Sequence, residues 1–95
     1  MSPASSAADV HNLLDSPDPN RWLDAVEYLA AADNVAALIR LLRRDSRPFV
    51  RTAAALVLPL FQEEHVIAAL SQAVTDQETW VKLAAIEALA FLGGT

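Results

Sequence analysis

The sequence predicts an all-α protein, folded as a short, right-handed superhelix of about six antiparallel helices. Three observations lead to this fold class. Hydrophobic residues make up 54% of the chain and aromatic residues only 6%, so the core must be built mainly from Ala, Leu and Val. Glycine occurs only twice, at Gly93 and Gly94, which keeps a helix-weakening residue out of the helix interiors. The third observation is an internal repeat.

Two segments of the chain align without a gap at a constant offset of 31 residues. Residues 45–58 correspond to residues 76–89, and both segments contain an Asp, an aromatic residue, a Val, a base, two Ala and a Leu. A weaker third copy runs over residues 16–29, at an offset of 29. Repetition of this kind is typical of a solenoid, in which each unit packs only on its neighbours and the terminal units diverge.

Each unit is predicted to be a pair of helices, and we call the helix that follows the repeated Asp the first helix of its unit. An acceptor side chain, Asp45 or Asp76, stands just ahead of this helix, where it can satisfy free backbone N–H groups. The apolar residues then recur at the spacing of one helical face. In the middle unit these residues are Val50, Ala54, Val57, Leu58 and Phe61.

The predicted elements alternate along the chain. They are a second helix from residue 6, a first helix over 21–32, a second helix over 34–43, a first helix from about 48, a second helix over about 63–74 and a first helix that reaches 92. Pro48 suits a helix start because its φ is fixed and it lacks an N–H group. Pro59 should end or kink its helix between Leu58 and Phe61. Connections of a few residues force neighbouring helices to run antiparallel.

The repeated residues carry a resemblance to a known family. The Asp, Val-Arg, Ala and Leu of the middle unit, and their counterparts in the last unit, resemble the signature of the short HEAT-like repeats first associated with phycobilin lyases. The similarity covers residues 6–92, although the first unit has Arg21-Trp22 where the middle unit has Val50-Arg51. The resemblance implies a HEAT-like α-solenoid, in a family that includes chromophore lyase subunits, adaptors and proteins of unknown role.

The same resemblance assigns a structural role to the repeated bases and acids. The base at this position of the family often reaches the Asp of its own or an adjacent unit. The expected structural ladder consists of Asp45, Arg51, Asp76 and Lys82. The alternative is that Arg51 and Lys82 form a basic stripe that recognises an acidic partner.

Charge is distributed unevenly along the chain. The net charge is −5, which argues against nucleic-acid binding because that binding depends on neutralising phosphates. Basic residues nevertheless cluster in the middle of the sequence, at helical spacing if the helix continues past residue 44. This arginine patch consists of Arg40, Arg43, Arg44 and Arg47. It is interpreted either as a contact for a partner or anion, or as a solvated helix end that complements the helix dipole.

The C-terminal segment suggests a second contact surface. Between residues 80 and 92 only Lys82 and Glu87 are charged, and a helix that is apolar nearly all round is normally buried nearly all round. A second copy of the chain or a different protein is expected to cover the residues of a predicted interface: Trp80, Ala84, Ile86, Ala88, Phe91 and Leu92. The alternative is that this helix packs its apolar surface against the chain's own helices. Trp22, Phe49 and Trp80 are expected to cover the seams between units.

Enzymatic activity is not expected. The chain has no cysteine, and His11 and His65 lack neighbours at metal-ligand spacing. Glu63 and Glu64, beside His65, are explained more simply by the positive end of a helix than by acid–base chemistry. The sequence contains no phosphate-binding loop and no nucleophile motif. We therefore predict neither catalytic residues, nor a metal, nor a cofactor.

The expected function is that of a non-enzymatic scaffold or adaptor that binds another protein, through the arginine patch and a groove lined by the second helices. Two alternatives stay open: an inhibitor or immunity-type protein that blocks an enzyme, and, by resemblance, an accessory subunit of a bilin lyase-like enzyme. We expect a single domain over residues 6–95, preceded by disordered residues 1–5. A soluble, cytoplasmic location is expected because the N-terminus has no secretory signal and no apolar run approaches the ~20 residues that span a bilayer.

Overall fold

The computed structural model of the chain describes residues 7–93, so the predicted disordered segment 1–5 lies outside the described residues. Within this range the fold is all-α, as predicted, and no residue lies in a β-strand. Its helices are α1 (Ala7–Asp15), α2 (Pro19–Ala31), α3 (Val35–Arg44), α4 (Pro48–Val57), α5 (Glu64–Ala73) and α6 (Thr79–Leu92). The predicted order of alternating first and second helices is confirmed, with most bounds shifted by one or two residues.

Proline and short acceptor side chains determine where several helices begin. Pro19 and Pro48 occupy the first helical positions of α2 and α4, where a missing N–H group costs nothing. The Asp18 carboxylate accepts the N–H of Asn20 at the start of α2, and Asn34 caps α3 in a similar way. These bonds satisfy donors that have no partner inside the helix.

The repeated aspartates do not cap their helices directly, which corrects the prediction. The capping positions of α4 and α6 are Arg47 and Glu78, whose side chains make no capping bond. Asp45 and Asp76 lie two residues earlier, and each carboxylate accepts the backbone N–H of the capping residue. Each Asp therefore shapes the turn before the helix, while the rest of its carboxylate accepts from an arginine side chain, Arg47 for Asp45 and Arg51 for Asp76.

Pro59 ends its helix where the sequence predicts it. The α-helix α4 stops at Val57, and Leu58–Leu60 forms one turn of 3₁₀ helix. Proline cannot donate the backbone bond that α-helical continuation requires. The chain then turns at Phe61 and enters α5.

The helices form two layers. First helices α2, α4 and α6 pack side by side in one layer, while second helices α3 and α5 pack against each other in the other layer. The described residues measure 42 × 25 × 17 Å along their principal axes, as expected for a stack that extends in one direction. Helices of both layers contribute to the core. Its largest fully buried side chains are Val26, Leu38, Val50, Leu58, Val66, Leu70 and Val81.

Candidate interaction surfaces

A nearly buried ion pair joins the middle unit to the last unit. The Arg51 guanidinium of α4 donates to both carboxylate oxygens of Asp76, over 2.9 and 3.0 Å, and to the backbone carbonyl of Asp45 over 2.9 Å. The side chains of Arg51 and Asp76 are only 15% and 14% exposed. Burial alone would raise the pKa of Asp76, but hydrogen bonds from Arg51 and from the N–H of Glu78 outweigh it, and the pKa is lowered.

The other members of the expected ladder are arranged differently. The carboxylate of Asp45 binds Arg47 with two bonds of 2.9 Å and offers only its backbone carbonyl to Arg51. Burial opposes the charge of Asp45, but the bonds from Arg47 prevail and its pKa is lowered. Lys82 is half-buried and forms no ion pair with any carboxylate of residues 9–93. Among these four residues the structure therefore forms one ion pair, Arg51 with Asp76, and one hydrogen bond from Arg51 to the Asp45 backbone.

Arg47 holds the first two units together. Its guanidinium lies 4.6 Å from the centre of the Trp22 ring and donates to the backbone carbonyl of Leu14 over 2.6 Å. The Trp22 indole N–H in turn donates to the carbonyl of Ser16, and its ring meets Phe49 edge-on at 6.0 Å. Trp22 and Phe49 thus cover the seam between α2 and α4, where a stacked arginine strengthens the contact.

The arginine patch is consequently smaller than its sequence spacing indicates. Helix α3 ends at Arg44, so Arg47 does not extend the helical face and its charge is used within the chain. The other three side chains are exposed on α3 and form no ion pair among the described residues. We call them the α3 arginines: Arg40, Arg43 and Arg44.

The residues of the predicted C-terminal interface fall into three groups. Ala84 and Ala88 are core residues, each only 5% exposed, because this side of α6 packs against α4; the prediction that they form an interface must be corrected. Leu92 is half-buried against the core. Trp80, Ile86 and Phe91 are exposed, but Ile86 lies on a different side of α6 from the two aromatic residues.

Ile86 belongs to a surface at the end of the stack. The side of α6 opposite Ala84 and Ala88 carries three exposed apolar residues, which we call the end face: Leu83, Ile86 and Ala90. The equivalent of Ile86 is Ala55 in the middle unit and Val26 in the first unit. These residues are 0% and 1% exposed, whereas Ile86 is 51% exposed. The position is thus covered wherever another first helix follows.

Trp80 and Phe91 belong to an apolar groove between α4 and α6. Two adjoining hollows of about 340 and 240 Å³ share Leu56 as a lining residue. Together they form what we call the α4–α6 groove, bordered by exposed apolar side chains: Phe49, Leu56, Leu60, Trp80 and Phe91. Sequence reasoning missed Leu56 and Leu60, although Phe49, Leu56 and Leu60 recur at i, i+7 and i+11, the spacing of one helical face.

The outward positions of the three first helices differ in polarity. In α4 and the 3₁₀ turn after it these positions hold Phe49, Leu56 and Leu60, and in α6 they hold Trp80, Glu87 and Phe91. The equivalent positions of α2, at the offset of 29, hold Asn20, Glu27 and Ala31. Because α2 forms with polar residues at two of these positions, the repeat does not require apolar residues there.

The pattern of the HEAT-repeat family matches residues 7–90 of the chain. The chain belongs to the HEAT-repeat family. HEAT repeats form α-solenoids that generally mediate contacts between proteins, and the family is typically non-enzymatic. No curated protein and no solved structure shows significant similarity to the chain.

Within the described residues, no three His, Cys, Asp or Glu side chains lie close enough together to hold a metal ion. His11 and His65 are exposed on separate helices. None of the helices between residues 7 and 93 is both long enough and apolar enough to cross a membrane.

Proposed function

We propose that this HEAT-repeat chain is a non-enzymatic protein-binding module that holds its partner in the α4–α6 groove. One observation carries the proposal: the outward positions of α4, the turn after it and α6 are apolar at all but Glu87, whereas α2 has the polar residues Asn20 and Glu27 at two of its three positions. Clusters of exposed apolar residues mark sites of interaction, and aromatic residues are frequent among the side chains that dominate binding energy. Trp80, which is 74% exposed, is the residue of the groove most suited to that role.

The α3 arginines are proposed as a second contact. Three exposed arginines fall within one turn of α3 without a carboxylate partner among the described residues, in a chain of net charge −5. Such an arrangement favours an acidic group of the partner. These arginines belong to the layer of second helices, whereas the apolar groove lies between first helices, so we place the apolar contact on the opposite layer from the one that sequence reasoning chose.

The end face is proposed as a contact for a second copy of the chain. The equivalents of Ile86 in the other units are buried, and the equivalents of Leu83 and Ala90 are partly buried. The opposite end of the stack is polar, since Arg21 and Asp24 of α2 are exposed and lie 3.7 Å apart. Head-to-tail stacking would bury that pair against apolar residues, which is unfavourable. A two-fold contact between two end faces avoids this cost.

Affinity capture with matched variants tests the binding function. Leu56→Glu places a charge at the centre of the groove, and Ala68→Glu places the same charge on an exposed position of α5. Wild-type and variant chains are incubated with an extract of the source cells, and the bound proteins are quantified by mass spectrometry. The proposal expects a protein retained by the wild type and Ala68→Glu but lost with Leu56→Glu. If every captured protein binds all three chains equally, the groove is not the binding surface.

The partner's own activity separates an adaptor from an inhibitor. Once a partner is identified by capture, its activity is measured with and without a saturating amount of the chain. Loss of activity that is relieved by Leu56→Glu would favour the inhibitor alternative, because a blocking protein must bind to block. Unchanged activity in the bound state would favour the adaptor.

A further inference from the structure

We propose that the segment bound in the α4–α6 groove is an amphipathic α-helix whose apolar stripe is flanked by basic residues. This proposal rests on the proposed binding function and adds the chemistry of the partner to it. The lining of the groove, its length and the charges at its edges all favour such an occupant.

The lining of the groove favours a helix over an extended segment. Its walls are helices, and their backbone N–H and C=O groups are already bonded along α4 and α6. Apart from Thr52 and Glu87, every side chain that lines the two hollows is apolar. An extended peptide would bring backbone groups that find no partners there, at a cost of about 1–3 kcal/mol for each buried group. A helix satisfies its own backbone and presents only side chains.

The length of the groove fits three turns of helix. The outward residues of α6 run from Trp80 to Phe91, and those facing them run from Phe49 of α4 to Leu60 of the 3₁₀ turn that follows. Eleven residues of helix correspond to about 16 Å at a rise of ~1.5 Å per residue. A bound helix with apolar residues at i, i+4, i+7 and i+11 covers the same distance, which is the usual pattern for a helix bound in an apolar groove.

The charges beside the groove select a basic partner. Among the outward positions of α2, α4 and α6, the charged residues are Glu27 and Glu87, and both are exposed. Glu87 lines the end of the groove nearest Phe91, and it forms no ion pair among the described residues. The exposed α3 arginines belong to the other layer. Lysine or arginine beside the apolar stripe would therefore complement the groove, and acidic residues there would be repelled.

Three synthetic peptides of equal length test the proposal with the whole chain. The first has leucines at i, i+4, i+7 and i+11 with lysines beside them; the second has the same composition with leucines at every second position; the third replaces lysine by glutamate. Binding is followed by fluorescence anisotropy of labelled peptide, gain of helicity by circular dichroism, and the blue shift of Trp80 emission as its ring is covered. Trp80→Phe identifies which part of the emission change comes from Trp80.

We expect saturable binding of the first peptide, with a gain of helicity, and at least tenfold weaker binding of the other two. Leu56→Glu should weaken the first peptide at least tenfold, whereas Ala68→Glu should change its affinity less than twofold. Circular dichroism of the free variants is the control for their folding, and both should keep the helicity of the wild type. Equal binding of the first and second peptides, or an unchanged affinity with Leu56→Glu, would overturn the helical occupant.

The failure of this inference differs from the failure of the binding function. If none of the peptides binds saturably while a cellular protein is still lost with Leu56→Glu, the groove binds a protein but not an amphipathic basic helix. If the cellular capture also shows no dependence on Leu56, the binding function itself fails.

Discussion

The ion pair between Arg51 and Asp76 provides the sharpest test of how the units are held together. Asp76→Asn keeps the shape of the side chain and the oxygen that accepts the N–H of Glu78, but it removes the negative charge. The Arg51 guanidinium then faces an amide, while only 15% of its side chain is exposed to water. Arg51 lies on α4 and Asp76 in the turn before α6. Asp76→Asn therefore weakens the contact between the last two units.

The expected cost follows from the partial burial of the pair. Leaving a buried charge without its partner costs about 3–5 kcal/mol, and hydrogen bonds to charged groups contribute about 1.5–3 kcal/mol each. Both side chains keep some contact with water, and the Asp45 carbonyl still accepts from Arg51. We therefore expect Asp76→Asn to lower the free energy of unfolding by about 2–3 kcal/mol. In a domain of this size that corresponds to a fall in Tm of about 10–20 °C.

Lys82 supplies the matched control. It occupies the repeat position equivalent to Arg51 but forms no ion pair among the described residues. Lys82→Met should therefore change the free energy of unfolding by less than about 0.5 kcal/mol. Urea unfolding at pH 7, followed by circular dichroism, measures both variants. Equal destabilisation by Asp76→Asn and Lys82→Met would refute the reasoning, because the effect would then come from the repeat position and not from the ion pair.

The same pair should make stability depend on pH in a defined direction. The pKa of Asp76 is lowered from its ordinary value of 3.8, so the unfolded chain binds this proton more readily than the folded chain does. The stabilisation is complete above the unfolded value and is lost as pH falls through the folded value. The difference between wild type and Asp76→Asn should accordingly shrink as pH falls from 5 to below 3.8, and a difference that stays constant over this range would contradict the assignment.

Three further predictions concern a buried hydroxyl and the two remaining surfaces. Thr52→Val should raise the free energy of unfolding by about 1 kcal/mol in urea unfolding, because Thr52 Oγ1 is buried without a hydrogen-bond partner among the described residues; a loss of stability would show that the hydroxyl is bonded. Charge reversal of all three α3 arginines to Glu should abolish binding of the captured partner with helicity intact, and unchanged binding would exclude that contact. Ile86→Glu should convert a dimer, measured by light scattering at tens of micromolar, to a monomer while Ala68→Glu does not; a strictly monomeric wild type would contradict the proposed self-association.

The elements of the fold follow from short-range features of the sequence. The helical spacing of apolar residues, Pro48 at a helix start and Pro59 at a helix end all act within one or two turns, and the structure confirms their predicted effects. The repeat offset also indicated the stack itself, because equivalent residues in successive units must meet equivalent neighbours. The capping role of the repeated aspartates was predicted less well, since a carboxylate can serve the turn before a helix as readily as the helix itself.

The candidate surfaces depend on contacts between helices that cannot be predicted from the sequence alone. Composition marked α6 as apolar nearly all round, but only its packing against α4 shows that Ala84 and Ala88 are core while Ile86 is uncovered. The α4–α6 groove likewise exists only because two helices 31 residues apart lie side by side. No local pattern can report which of two apolar faces a neighbouring helix will cover.

The sequence by itself therefore determined the number of helices, their approximate bounds and the repeat that stacks them, because each depends on residues within a few turns or on strict periodicity. Only the tertiary structure decided which carboxylate each arginine binds: Arg47 takes Asp45, and Arg51 reaches Asp76, 25 residues away. The physical reason is that a long, charged side chain can reach several carboxylates, and the distance and burial of each carboxylate decide which one it binds. Both are set by the packing of whole units rather than by the spacing of residues along the chain.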